Sequence, residues 1–73
     1  MRFKDLFSRT QTMEAEEARH WMEGRSPESF TLLDVRQPGE YESGHLPGAV
    51  LIPLPQLEQR LGEIDPEKPV LAY

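Results

Sequence analysis

The stretch Leu32–Pro53, LLDVRQPGEYESGHLPGAVLIP, constrains the fold of this chain more than any other. It is framed by two short apolar runs, one over residues 30–35 and one over residues 49–52. Each has the length and the Val, Ile or Leu content of a strand buried on both faces, as in a parallel sheet. Between them lie the turn pairs Pro38-Gly39 and Pro47-Gly48 and a knot of charge: Asp34, Arg36, Glu40, Glu42 and His45. A strand that ends in Asp-x-Arg and breaks into a Gly/Pro loop carries its charged groups at its carboxyl end. In an open α/β sheet, ligands bind there.

The rest of the chain supplies the helices. Residues 1–12 show no clear period and read as a lead-in, with Phe3, Leu6 or Phe7 available to tether it. Residues 14–23 read as a helix: Ala15, Ala18, Trp21 and Met22 share one face, and the first turn is acidic. Trp21 is expected in the core. His20 lies off that stripe, near Glu16, as a solvated side chain. Gly24 is placed to end the helix. After a loop over residues 25–29, the first strand is expected over Phe30–Arg36 and the next over Val50–Ile52. Leu54, Leu57, Leu61 and Ile64 predict a second helix over 54–64, opened by Pro55 and closed by Gly62 and Asp65-Pro66. Pro69 leads into a last strand, Val70–Tyr73. The expected class is α/β: a parallel sheet with flanking helices, in which these three strands are neighbours.

Composition bounds the partners. A 73-residue chain is one domain at most. Chains this short bury only about 60% of their unfolded surface. The net charge of −5 repels phosphate backbones, so no nucleic-acid partner is expected. No apolar run is long enough to span a membrane, and residues 1–7 lack the apolar core of a secretory signal. A cytoplasmic location is the default. There are no cysteines, which excludes disulfides, thiolate metal sites and cysteine catalysis within these residues. Neither metal-ligand spacing nor a glycine-rich phosphate loop is present, so no metal site is expected.

Four residues are candidates for a site. Asp34 follows two leucines and cannot lie buried unpaired. Either it faces a pocket and orients a reactive group, or it pins the turn by pairing with Arg36 or accepting loop N–H groups. Arg36 and Glu40, four apart across a Pro-Gly turn, either pair with each other or border a site. His45 invites a general-base reading, but its glycine and proline neighbours favour a residue that fixes a tight loop.

Leu33-Asp34-Val35-Arg36, Glu40-Tyr41 and Gly44-His45-Leu46-Pro47-Gly48-Ala49, in this order and before an apolar strand ending in Pro53, resemble the rhodanese-like family. The resemblance runs from about Met13 to Tyr73, so residues 13–73 read as the leading, incomplete part of such a domain after a lead-in over 1–12. In that family a nucleophilic cysteine follows directly on a short apolar strand. Here the strand is 69–73, so the resemblance implies a cysteine at position 74 and no catalytic residue within the chain. Asp34, Arg36, Glu40 and His45 become pocket-wall or loop-supporting residues. The family's cysteine sits in a nest of backbone N–H groups that lowers its pKa. It takes sulfane sulfur from a small donor as a persulfide and passes it to a thiol or protein acceptor, with no dissociable cofactor. Some rhodaneses that use thiosulfate carry arginine where Glu40 stands, so thiosulfate is in doubt as donor. Two alternatives stay open: a non-catalytic binding or regulatory module, and a related cysteine-loop phosphatase. Such units are often fused to further domains. Residues 1–73 made alone are expected to fold poorly and to be inactive, with an unpaired strand edge and with Leu32, Val35, Ile52 and Leu71 partly uncovered.

Overall fold

The computed structural model describes residues 2–73, apart from the side chains of Phe3, Phe7 and Arg9. In chain order the elements are α1 (Phe3–Arg9), β1 (Gln11–Thr12), α2 (Ala15–Met22), β2 (Thr31–Asp34), α3 (Pro38–Ser43), β3 (Val50–Leu51) and β4 (Val70–Ala72). The four strands form one sheet in the order β1-β4-β2-β3, and every pairing is parallel. Leu33 lies opposite Val50 and Leu32 opposite Leu71, so the three strands expected to be neighbours are neighbours. The ladder runs past the assigned strand ends: Val35 N–H donates to the Tyr73 carbonyl at 3.1 Å and Ile52 N–H to that of Asp34 at 3.0 Å.

Alternation along the strands makes two cores, one on each face of the sheet. Leu33, Val70 and Ala72 point to one face and pack with Leu6, Ile52, Leu57 and Ile64. Leu32 and Leu71 point to the other and pack with Ala18 of α2, Phe30, Leu46 and Ala49. The continuous apolar runs read from the sequence are thus buried on both sides. Helix α2 starts with a capping box, in which Glu14 N–H donates to Glu17 Oε1 at 3.3 Å, and Gly24 follows it at φ +77°. Trp21 packs edge-on against Phe30 with ring centroids 5.1 Å apart.

Several expectations change. The start of the chain is structured: Leu6 is buried, and β1 pairs along β4, with Gln11 opposite Leu71. Phe3 and Phe7, the other expected tethers, have side chains outside the described residues. Strand β4 is therefore bonded on both sides instead of carrying an open edge. Leu32, Ile52 and Leu71 are covered, and Val35 is half-buried. The helix expected over 54–64 is instead two 3-10 segments, Leu54–Gln56 and Glu58–Glu63, interrupted where Arg60 takes φ −111°. Their bonds are tight i→i+3 contacts, such as Gln56 N–H to Pro53 O at 2.8 Å. Pro55 has no N–H to give and Gly62 weakens any longer helix. Leu57 and Ile64 still reach the core, whereas Leu54 is 54% exposed. His20 is exposed, as expected, and lies 3.8 Å from Glu23. Among the described residues no helix is long and apolar enough to cross a membrane.

Candidate functional site

Because every strand runs the same way, all four carboxyl ends lie on one rim of the sheet. Asp34 is the last residue of β2 and shares the face of Leu32 by alternation. It is wholly buried. The next residues turn, and Arg36 folds back on it. The Arg36 backbone N–H donates to Asp34 Oδ1 at 3.0 Å, the local turn that short carboxylates favour. Its Nε donates to the same oxygen at 3.0 Å, and its Nη2 donates to Oδ2 at 2.7 Å. This two-pronged pair meets the demand that a buried carboxylate be paired. Burial pushes the Asp34 carboxyl up. Hydrogen bonds from the Arg36 side chain and backbone, and from the Tyr73 hydroxyl, outweigh it and hold the group below its ordinary 3.8. The same pair raises the Arg36 pKa further, so the guanidinium stays charged.

Arg36 also ties down the loop that follows α3. Its Nη2 donates to the Gly44 carbonyl at 2.8 Å. Its guanidinium carbon stands 5.2 Å from the centre of the Tyr73 ring. Tyr73 continues β4, and its hydroxyl accepts the Leu46 N–H at 2.8 Å. Burial pushes that hydroxyl's pKa up, the Leu46 N–H pulls it down, and the nearby Asp34 charge adds to the rise. The loop is further held by Tyr41, whose hydroxyl donates to the Ala49 carbonyl at 3.1 Å. Gly48, at φ +82°, makes the last turn. His45 stacks flat on the Tyr41 ring, centroids 3.7 Å apart, and its Nδ1 bonds the Tyr41 carbonyl at 2.9 Å. A carbonyl only accepts, so Nδ1 carries the hydrogen and Nε2 is the free nitrogen.

The four sequence candidates therefore occupy two kinds of place. Asp34 and Arg36 form one unit. His45 lies next to it on the loop that Arg36 holds, exposed and braced by Tyr41. Glu40 does not pair with Arg36. It is exposed, and its carboxylate accepts the Gln37 N–H at 3.2 Å, capping α3. Two residues escaped sequence reasoning as parts of this place. Tyr73 read only as the end of a strand, although a polar-tipped aromatic there was a usable signal. Arg19, in the last turn of α2, was not singled out as a site residue.

Two hollows meet at Arg36 and Gly44. One is a broad depression of about 690 Å³ bordered by Glu40 and Ser43. The other is a cleft of about 300 Å³ over Tyr73, lined by Arg19, Arg36 and His45 and, among the described residues, by no carboxylate. The Arg36 charge there is balanced by Asp34, and the Arg19 guanidinium, which has no partner among the described residues, is the uncompensated cation of the cleft that can stabilise an anionic group. Among the described residues no group of three His, Cys, Asp or Glu side chains is placed to hold a metal ion.

Comparison with known proteins agrees with this architecture. The family profile described as "Rhodanese-like domain" matches residues 14–73. The uncharacterised protein YqhL of Bacillus subtilis is 57% identical over 42 residues, covering 58% of this chain and 33% of that protein. An HTH-type transcriptional regulator of Mycobacterium tuberculosis is 43% identical over 49 residues, covering 67% of this chain and 22% of that one. A candidate sulfur carrier protein of Bacillus subtilis, YrkF, is 50% identical over 40 residues, covering 55% of this chain and 22% of that one. The matched parts thus make up a third or less of these relatives. No solved structure matches significantly. With a parallel α/β sheet and the family profile over nearly its whole length, the chain belongs to the rhodanese-like family.

Proposed function

We propose that the protein carrying this sequence is a sulfurtransferase that holds sulfane sulfur as a cysteine persulfide. The observation that carries this reading is the cation-lined cleft over Tyr73. The family pattern puts the cysteine at position 74, next to Tyr73, whose ring stands 5.2 Å from the Arg36 guanidinium. A thiol in a cleft that carries the unbalanced charge of Arg19 ionises more readily than a free one. Its thiolate attacks the outer sulfur of the donor. A new S–S bond forms, the donor's S–S bond breaks, and the donor remnant leaves with the electron pair. The persulfide is again an anion and stays in the same positive field. An acceptor nucleophile then attacks the outer sulfur and releases the cysteine thiolate, with no net oxidation. The similarity to a protein named as a sulfur carrier supports the same class of chemistry. Glu40, exposed at the broader depression, disfavours a doubly charged donor such as thiosulfate.

The similarity to a transcriptional regulator favours a second reading, in which the unit is a regulatory module within a longer protein. One experiment separates the two. The full-length protein is given a polysulfide donor and cyanide, and thiocyanate is measured over time. Turnover that vanishes when the cysteine after β4 is replaced by serine supports the transferase. No turnover from the wild-type protein supports the module.

A further inference from the structure

The cleft over Tyr73 does not end there. A second hollow, of about 500 Å³, adjoins it and shares Arg19 and Leu46. It runs back along α2 between Met22, Arg25, Phe30 and Pro47. Joined, the two make one groove that leads from the carboxyl end of α2 to the carboxyl end of β4. Its floor is apolar, formed by Met22, Phe30 and Leu46, and its walls carry Arg19 and Arg25. Among the described residues no aspartate or glutamate lines either part. The whole chain has 13 acidic side chains against 8 Lys and Arg, so a groove without carboxylates runs against the overall charge.

Both arginines are available. Arg19 is exposed and makes no hydrogen bond or ion pair among the described residues. Arg25 is held in place by its own helix: Nε donates to the Trp21 carbonyl at 2.7 Å, and the guanidinium lies 4.0 Å above the Trp21 ring. A cation positioned before binding loses less freedom when a ligand arrives. An apolar floor between two such cations suits a chain segment that alternates acidic and apolar side chains. A small inorganic anion has no use for the floor.

We propose that this groove docks an acidic, apolar-studded segment of the protein that accepts the sulfur. Its carboxylates pair with Arg19 and Arg25, one aliphatic or aromatic side chain settles on Met22 and Phe30, and its reactive end arrives at Tyr73. That the occupant is the acceptor rests on the sulfurtransferase reading. That the groove binds such a segment does not.

The test is fluorescence anisotropy with the full-length protein and a short labelled peptide alternating Glu and Leu. The peptide binds the wild type and is weakened roughly tenfold by Arg19→Glu, less by Arg19→Gln, and by added salt. Arg19→Lys restores binding. Among the described residues the Arg19 side chain has no partner, so each variant keeps a cooperative thermal transition, with a slightly lower midpoint for Arg19→Glu because negative charge is unfavourable in the last turn of α2, and this is checked alongside. Equal binding by Arg19→Glu overturns the proposal, as does equal binding of a Lys-Leu peptide. Displacement of the peptide by sodium sulfate, but not by sodium chloride of equal ionic strength, also overturns it, because it marks an anion subsite only. Thiocyanate formation by the wild type is read separately. Its absence removes the transferase reading and leaves the groove to stand or fall on anisotropy.

Discussion

Asp34 concentrates the physics of this molecule into one side chain. It was legible from sequence that a carboxylate behind two leucines needs a partner, and Arg36 was one of the partners in view. Which oxygen met which nitrogen was not legible, nor was the reach of Arg36 to Gly44, because loop closure brings those atoms together across a helix. Replacing Asp34 by alanine leaves a half-buried guanidinium and a backbone N–H unpaired, and is expected to cost about 1–3 kcal/mol in a denaturant titration of the intact protein. The pH dependence carries a sharper sign. The folded carboxyl titrates below 3.8, so its contribution to stability is full above that value and is lost as the pH falls through it and then through the lower folded value. Arg36→Ala removes the largest cause of the lowering and leaves only the backbone N–H of residue 36 and the Tyr73 hydroxyl to oppose burial, so the carboxyl titrates higher than in the wild type. Asp34 then gives the variant less added stability as pH rises than it gives the wild type. Thermal midpoints of wild type and variant, compared between acid and neutral pH, should therefore diverge as pH rises. Parallel curves would contradict the pairing.

At the scale of elements, periodicity succeeded where burial and backbone geometry agreed. Helix α2 has its apolar stripe, its capping box and its terminal glycine, and it formed within a residue of where they place it. The 54–64 segment has the apolar spacing of a helix but also Pro55 and Gly62. The chain answers with two 3-10 turns stapled by Arg60, whose Nη1 donates to Gln56 at 3.1 Å and whose Nε donates to Glu63 at 2.7 Å. Side-chain spacing alone does not distinguish the two forms, since i+3 contacts serve both. Glycines give a paired prediction. Gly48 sits at φ +82° with open space where a Cβ would go, so Gly48→Ala costs about 1 kcal/mol through backbone strain alone. Gly62 has equal space and no positive φ, so Gly62→Ala should stabilise by about 0.5 kcal/mol by restricting the unfolded chain. Thermal midpoints that move in the same direction for both would contradict this account of the loop and of the 3-10 segment.

At the scale of the whole molecule, the parallel association of β2, β3 and β4 in one sheet followed from apolar continuity and crossover length. Strand β1 did not. Gln11 and Thr12 are polar and exposed, and they join the sheet through backbone groups alone, which leaves no pattern to read. Leu6 is the buried anchor of that start. Leu6→Ala in the intact protein is expected to cost about 2–4 kcal/mol, where a loose lead-in would cost nothing. The candidate site was legible only in part for a similar reason. The motif residues announced the rim of β2, but Tyr73 and Arg19 reach it from other elements. The persulfide itself is the claim on which these parts converge, and intact mass spectrometry tests it most directly. The full-length protein is incubated with a polysulfide, freed of excess donor and weighed before and after cyanide. The account predicts a gain of one sulfur on the cysteine that follows β4, removed by cyanide. A protein that gains no sulfur, or that carries no cysteine after Tyr73, would contradict it.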